Sequence, residues 1–507
     1  MNRAAVVPSR LYLIASLTVA LVAVVWAPTA AAQTAPQNTF TLRLPFVTRN
    51  ATGGSSPVTT PPQTPPQSPR AALFLDTAQK IGTGSLVADG QGGLHAAYAY
   101  VLPLADHPQA VYVYCAPGAD CGQSANWHGV VLADNVDEVQ LALTAAGQPR
   151  LLIRARAAES NYDNDYFYAA CDQACTDPAH WASTFVVTTY GTSIFAISDF
   201  TSPQRYFALD PQGRPRFVYF DRNYFIEPDH IGVFYVYCDA DCTSNPAGAP
   251  HWFETQISLA QGYQYEVFKY PALTFTAQGQ PRLAADVSAL NSDDSGIYYA
   301  ACDTACADGA NWARVRLFDR GSGTAVSWDL EVDAQGRPRL AYFDGSYINS
   351  GGEILYYAWC DADCLNVAAW QALDLELAKG TGKHPDLELD AQGRPRLAHL
   401  VQGGSGLGYA WCDANCNTKA GWKEQVLETE AALSTAWPVA RPSHCDAGLW
   451  DSKTPVLTLD PAGQPRIAYD SAYETRCWYD DPNDNLPPYL TFHQLWHTVR
   501  LHLLPQP

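Results

Sequence analysis

The sequence predicts an all-β fold, a seven-bladed β-propeller of four-stranded antiparallel blades. Three observations predict it. A ten-residue phrase recurs seven times, with its marker glycines 55 to 70 residues apart. Every copy sits among the same succession of short, strand-like apolar segments. A tryptophan stands near the last segment of each copy, as Trp127, Trp181, Trp252, Trp312, Trp370, Trp422 and Trp496.

The phrase reads DPQGRPRFVY from Asp210, DAQGRPRLAY from Asp333, DAQGRPRLAH from Asp390 and DPAGQPRIAY from Asp460. TAAGQPRLLI from Thr144 and TAQGQPRLAA from Thr276 are close variants, and DGQGGLHAAY from Asp89 is a more distant one. The period suits four strands plus loops and is too long for a helical-pair repeat. The fifth copy serves as the template. Residues 327–333 (SWDLEVD) alternate and read as strand A. The next residues form a tight turn: Asp bonds its own backbone and Gly supplies a positive φ, with a bulge expected. Residues 338–343 (PRLAYF) are strand B, with Pro338 at the first position, where a missing N–H is tolerated. Residues 354–359 (ILYYAW) are strand C, apolar on both faces as in a blade packed between neighbours. Residues 370–377 are strand D. Blade seven is read the same way, with strand C at 489–494 and Trp496 in strand D. Residues 72–76 are expected to add a strand joining the first and last blades. Ring closure removes exposed sheet edges, which favours a propeller over a solenoid.

The phrase resembles the Asp-x-x-Gly-x-Pro-x-φ-Ala-Tyr repeat of exported bacterial β-propellers. The resemblance covers residues 84–503. More distantly, the blades are similar to those of sialidase-type and lectin propellers. The chain departs from the sialidases in lacking a Ser-x-Asp-x-Gly-x-x-Trp box, and their arginine triad cannot be placed, because arginine here belongs to the repeat.

All 14 cysteines follow residue 110. Six close pairs fall between strands C and D: Cys115–Cys121, Cys171–Cys175, Cys238–Cys242, Cys302–Cys306, Cys360–Cys364 and Cys412–Cys416. They read as disulfide knuckles in an oxidising compartment rather than as metal sites, since each blade offers two thiols and not four ligands. In a propeller, the A–B and C–D connections share one face and the B–C and D–A connections share the other. That places Cys445 and Cys477 on the second face of blade seven, and they are expected to pair.

Residues 1–32 read as a signal peptide. Arg3 and Arg10 precede an apolar run from Leu11 to Trp26, and Ala30-Ala31-Ala32 offers a cleavage site. Residues 33–70 read as a mostly disordered linker rich in Pro, Thr and Ser, and 71–507 as the propeller. The expected location is outside the cell or on its surface. A net charge of −20 and a pI near 4.9 make nucleic acid and anionic membranes poor partners. No later stretch is apolar enough to span a bilayer, and a monomer is expected.

The knuckle face is regular, so function is expected on the opposite, irregular loop face. Its aromatics, Tyr224, Phe225, Tyr263, Tyr265, Tyr347, Trp437 and Trp450, are the candidate ligand-binding residues. Aromatic rings beside Asp, Asn and Gln suit sugars, by stacking and by hydroxyl hydrogen bonds. A glycan or another exported protein is the expected ligand. No catalytic motif is present: neither Gly-x-Ser-x-Gly nor His-Glu-x-x-His occurs, and the loop carboxylates are too many to single out a hydrolytic pair. A convergent carboxylate pair in a deep central pocket is the feature that marks the alternative, a propeller glycosidase or lyase. A purely structural surface protein is a further alternative. The repeated arginines (Arg150, Arg216, Arg282, Arg339, Arg396 and Arg466, with His95 in the first copy) are expected to make ion pairs or backbone hydrogen bonds at the turn, not an anion site. No cofactor or metal site is expected. The acidic runs 162–165, 291–294 and 479–485 are the only Ca²⁺ candidates, and none has EF-hand spacing.

Overall fold

Each copy of the repeat folds as a four-stranded antiparallel sheet, and there are seven such sheets. The computed structural model describes residues 71–73, 81–100, 108–156, 164–189, 205–222, 231–245, 250–257, 266–289, 296–319, 325–344, 354–375, 382–401, 406–436, 438–439, 445–479 and 489–504. The expected signal peptide and linker lie outside these residues.

The chain enters through strand β1 (Ala71–Leu73). Blade one is β2 (Ile81–Ala88), β3 (Leu94–Tyr100), β4 (Gln109–Cys115) and β5 (Trp127–Asp134). Blade two is β6 (Val136–Leu143), β7 (Pro149–Arg156), β8 (Asn164–Cys171) and β9 (Trp181–Thr189). Blade three is β10 (Phe207–Leu209), β11 (Pro215–Arg222), β12 (Ile231–Cys238) and β13 (Trp252–Ile257). Blade four is β14 (Glu266–Phe275), β15 (Pro281–Ala289), β16 (Gly296–Ala301) and β17 (Ala313–Asp319). Blade five is β18 (Ala325–Val332), β19 (Pro338–Asp344), β20 (Ile354–Trp359) and β21 (Gln371–Asp374). Blade six is β22 (Lys383–Leu389), β23 (Pro395–Val401), β24 (Gly406–Cys412) and β25 (Trp422–Glu428). Blade seven holds β26 (Leu449–Leu459), β27 (Pro465–Tyr479) and β28 (Tyr489–Leu503). Each blade's first strand is innermost. β2 lies beside both β6 and β26, which closes the ring.

Closure corrects one expectation and supports another. Blade seven does not place Trp496 on a fourth strand of its own. β28 runs through Trp496 as the third strand, and the fourth is β1, with Ala71 opposite His502 and Leu73 opposite Arg500. Because the other end of the chain supplies the outer strand, nothing obliges β28 to turn back after 494. The sequence shows no helical period after residue 70, yet a short helix α1 (Glu430–Ala436) precedes blade seven. It buries only Leu433, against Trp450, too little for a periodic pattern to register.

The turn of the repeat is a tight turn with a bulge. Gly213 N–H donates to Asp210 O at 2.8 Å and Asp210 N–H to Arg214 O at 3.0 Å, with Gly213 at φ 76°. The Asp210 side chain accepts from the N–H groups of Gln212 and Arg214, both at 3.0 Å. In blades two to six the repeated arginine then clamps this turn to the knuckle of the same blade, while in blade seven Arg466 donates to Leu504 O at 3.0 Å. Arg339 donates to Pro338 O at 3.0 Å, Cys360 O at 3.1 Å, Asp333 at 2.8 Å and Asp361 at 2.9 Å. The ion-pair reading of these arginines is therefore correct. All seven expected disulfides form, including Cys445–Cys477.

The tryptophans do two things. Trp127, Trp181, Trp252, Trp312, Trp370 and Trp422 each donate Nε1–H to the carbonyl of their knuckle's second cysteine, at 2.8 to 3.1 Å. Five of them also meet a strand C tyrosine of the preceding blade. The pairs Tyr112–Trp181, Tyr168–Trp252, Tyr235–Trp312, Tyr299–Trp370 and Tyr357–Trp422 have ring centroids 5.1 to 5.3 Å apart. Such contacts contribute ~0.5–1.5 kcal/mol each beyond area burial, so the repeat stitches blade to blade as well as strand to strand.

Candidate functional site

The inner strands line a central channel, and strand alternation decides which residues face it. In each blade these are the residues four and two places before the turn residue. In blades five and six they are Asp329 and Glu331 on β18, and Asp386 and Glu388 on β22. The matching positions elsewhere carry no charge: Ser85 and Val87, Gln140 and Ala142, Tyr206 and Ala208, Ala272 and Thr274, Val456 and Thr458. At these two positions acids are thus confined to one sector; the acid further along β6, Glu138, is paired with Arg154 at 3.3 Å. A cavity of about 260 Å³ opens at the acidic sector, bordered by Glu331, Asp386 and Glu388 and, opposite, by Ser85, Gln140 and Thr274.

A single arginine reaches across to that sector. Arg205 lies just before β10 of blade three, where its carbonyl accepts from Leu273 N–H at 2.7 Å. Its guanidinium contacts Glu331 at 2.7 Å, Asp386 at 2.9 Å, Glu388 at 3.0 Å and Asp329 at 3.5 Å. It also donates to Leu457 O at 3.4 Å. One cation therefore gathers four carboxylates from two blades.

Two of those carboxylates have a second task. Inner strands have no sheet partner on the channel side, so their N–H groups need other acceptors. Asp329 Oδ2 accepts from Leu387 N–H at 2.8 Å, and Asp386 Oδ2 accepts from Leu457 N–H. Ser85 does the same for Leu141 at 3.2 Å. Asp329 and Asp386 thus join neighbouring blades, while Glu331 and Glu388 are held only at the channel surface, a quarter or less exposed.

With three acids in excess of the one cation, mutual repulsion is unavoidable. Burial pushes Glu331 up to about 8, and the neighbouring Glu388 adds to it against the pull of Arg205. Burial likewise raises Asp329 and Glu388, opposed by Arg205. The four carboxylates raise Arg205 well above its ordinary range although burial opposes its charge. At neutral pH the cluster holds protons as well as charge. Among the described residues, no group of three or more His, Cys, Asp or Glu side chains is placed to hold a metal ion.

Of the aromatics expected to bind ligand, Tyr224, Phe225, Tyr263, Tyr265, Tyr347 and Trp437 lie outside the described residues. Trp450 is 2% exposed, covered by Leu433 of α1 and by the edge of Tyr473, ring centroids 5.7 Å apart. The chain's own packing occupies that indole. The channel acids were missed at the sequence level. The signal existed in DLEVD and DLELD, the only two strand A segments with paired acids at the inward positions. Nothing local in the sequence marks Arg205.

No protein-family model matches the chain, and no curated protein does. Among solved structures, an α-L-arabinofuranosidase from Fusarium graminearum is 9% identical, with 85% of this chain and 97% of that one covered and a TM-score of 0.42. An α-L-arabinanase from Penicillium chrysogenum is 11% identical, covering 66% and 93%, with a TM-score of 0.42. A sialidase from Streptococcus pneumoniae is 10% identical, covering 85% and 70%, with a TM-score of 0.39. The propeller assignment rests on the strand pairing above.

Proposed function

We propose that this protein is an exported binding module that engages a glycan with its irregular loop face. One observation carries binding over hydrolysis. Among the described residues, the carboxylates that converge in the channel do so on the chain's own Arg205, so the space a scissile bond needs between those acids holds a guanidinium. Outside blade one the knuckle face is occupied by the clamps and disulfides, and the seven disulfides themselves fit an oxidising compartment. That leaves the loop aromatics, Tyr224, Phe225, Tyr263, Tyr265, Tyr347 and Trp437, as the binding residues of this reading. A glycan-array screen of the oxidised protein tests it. Reproducible binding that is lost in Tyr263→Ala or Tyr265→Ala is the expected result. A blank array with folded protein sinks the glycan version and leaves a protein ligand as its successor.

A second reading, a propeller glycosidase, draws on Glu331, which borders the channel cavity and whose pKa is pushed up to about 8, towards the protonated form a general acid requires. It predicts hydrolysis of some aryl glycoside or polysaccharide that Glu331→Gln abolishes. Absence of turnover across a broad panel removes it.

A further inference from the structure

The turn acids of the repeat come matched with arginines. Asp210 holds Arg214 at 2.7 Å and Arg216 at 3.1 Å. Asp333 holds Arg337 and Arg339, and Asp390 holds Arg394 and Arg396. Asp460 holds Arg466 at 2.5 Å. Where the turn residue is Thr144 or Thr276, the first arginine is replaced by Gln148 or Gln280, so the charge and its partner leave together.

Blade one breaks this rule. Asp89 is retained, but Gly93 and His95 stand at the two arginine positions and Ala116 replaces the knuckle acid. The Asp89 side chain is 10% exposed, and among the described residues its one ion-pair contact is His95 Nε2 at 3.2 Å. Burial holds His95 below its ordinary range despite Asp89, so at neutral pH the imidazole brings no charge. In the vacated place lies a cavity of about 420 Å³, walled by Asp89, Gln91, His95 and Tyr114 and closed by the turn and knuckle of blade two. The one acid on that far wall, Asp172, already has Arg150 at 2.7 Å.

The walls keep what a guanidinium uses in blade three. Asp89 Oδ2 corresponds to the oxygen that accepts from both Arg214 and Arg216. Gln91 corresponds to Gln212, whose Oε1 accepts from Arg214 at 3.2 Å. Tyr114 corresponds to Tyr237, over whose ring the Arg216 guanidinium sits at 5.9 Å; in blade one His95 meets one side of the Tyr114 ring, centroids 4.6 Å apart, and the cavity lies beside them. We propose that this cavity between blades one and two is a binding site for a guanidinium group, supplied by an arginine side chain of a partner protein or by a small arginine derivative. The protein's own repeat is the template for the complex.

Titration calorimetry of the full oxidised protein tests it with three probes: arginine amide, the peptide GGRGG and lysine amide. Both arginine probes are expected to bind, and lysine amide at least tenfold more weakly, because an ammonium cannot present a planar fork or stack on Tyr114. Asp89→Asn should weaken arginine binding at least tenfold. The double variant His95→Arg with Ala116→Asp rebuilds the clamp; it should abolish binding and raise the Tm, which shows that the loss is filling and not misfolding. Peptide tighter than amide assigns the partner as a protein; equal affinity assigns the small derivative. Lack of arginine binding by folded protein, lysine binding equal to arginine, or binding that survives in the double variant each overturns the proposal.

Discussion

The knuckle face and the central channel both set arginine against carboxylates, and they do so in opposite ways. On the knuckle face the ion pair is made again in blade after blade, and in blades two to six the arginine also donates to two backbone carbonyls, as Arg216 does with Pro215 and Cys238. In the channel one arginine meets four acids once. A feature that every blade repeats answers a need that every blade has, the joining of turn to knuckle. A feature that occurs once cannot be a requirement of the repeat. The channel is therefore where this chain differs from its own consensus, and the cavity of blade one is the other such place.

The largest effect is expected on the repeated side. Arg216→Ala leaves the buried Asp210 with Arg214 as its remaining ion-pair partner and takes one donor from the carbonyls of Pro215 and Cys238, and should destabilise by ~3–5 kcal/mol. Denaturant unfolding with an unchanged slope checks it. A loss below about 1 kcal/mol would mean that Arg214 alone can hold the turn.

The channel should respond differently, because its acids titrate. The folded state raises Glu331 from its ordinary value to about 8, so it binds this proton more tightly than the unfolded chain does. That contribution to stability is complete below the ordinary carboxylate value and is lost as pH rises towards about 8. Glu331→Gln removes it, so the variant should gain on the wild type as pH is raised from 5 to 8. Arg205→Ala should behave the other way, costing on the order of 3 kcal/mol at pH 8 and less at pH 5, where protonated acids no longer repel. Thermal unfolding of the three proteins across this range decides the matter. Parallel curves would show that the channel is too wet for its charges to interact as described.

Legibility followed the same division. The turn, the knuckles, the tryptophans of blades one to six and the pairing of Cys445 with Cys477 were readable because each is local or follows from face parity. β1 was readable as a strand joining the first and last blades, expected at 72–76 and found at Ala71–Leu73, but not its register, since its partner lies at the far end of the chain. The long β28 was misdivided because its fifteen residues exceed the strands of the template blade. The Asp-x-Glu pairs of β18 and β22 were visible as patterning, but their convergence depends on Arg205, three blades' worth of chain away from Glu388. Repetition reports itself in sequence; convergence on an axis does not.

The smallest expected effect probes how the knuckle works. Trp370→Phe deletes the donor to Cys364 O, 2.8 Å away, and keeps most of the ring that meets Tyr299 at 5.3 Å. The knuckle is close to solvent, so water can replace the lost donor, and the cost should be ~1 kcal/mol. The Cys360–Cys364 disulfide closes a short loop worth ~2 kcal/mol in the chain-entropy model. If its structural purpose is to hold that carbonyl under the indole, the two losses share one cause and will not add. Trp370→Phe should then cost measurably less in a Cys360→Ala, Cys364→Ala background than in the intact protein. Full additivity would separate the two devices: the disulfide would restrain only the unfolded chain, and the tryptophan would act through its packing between blades.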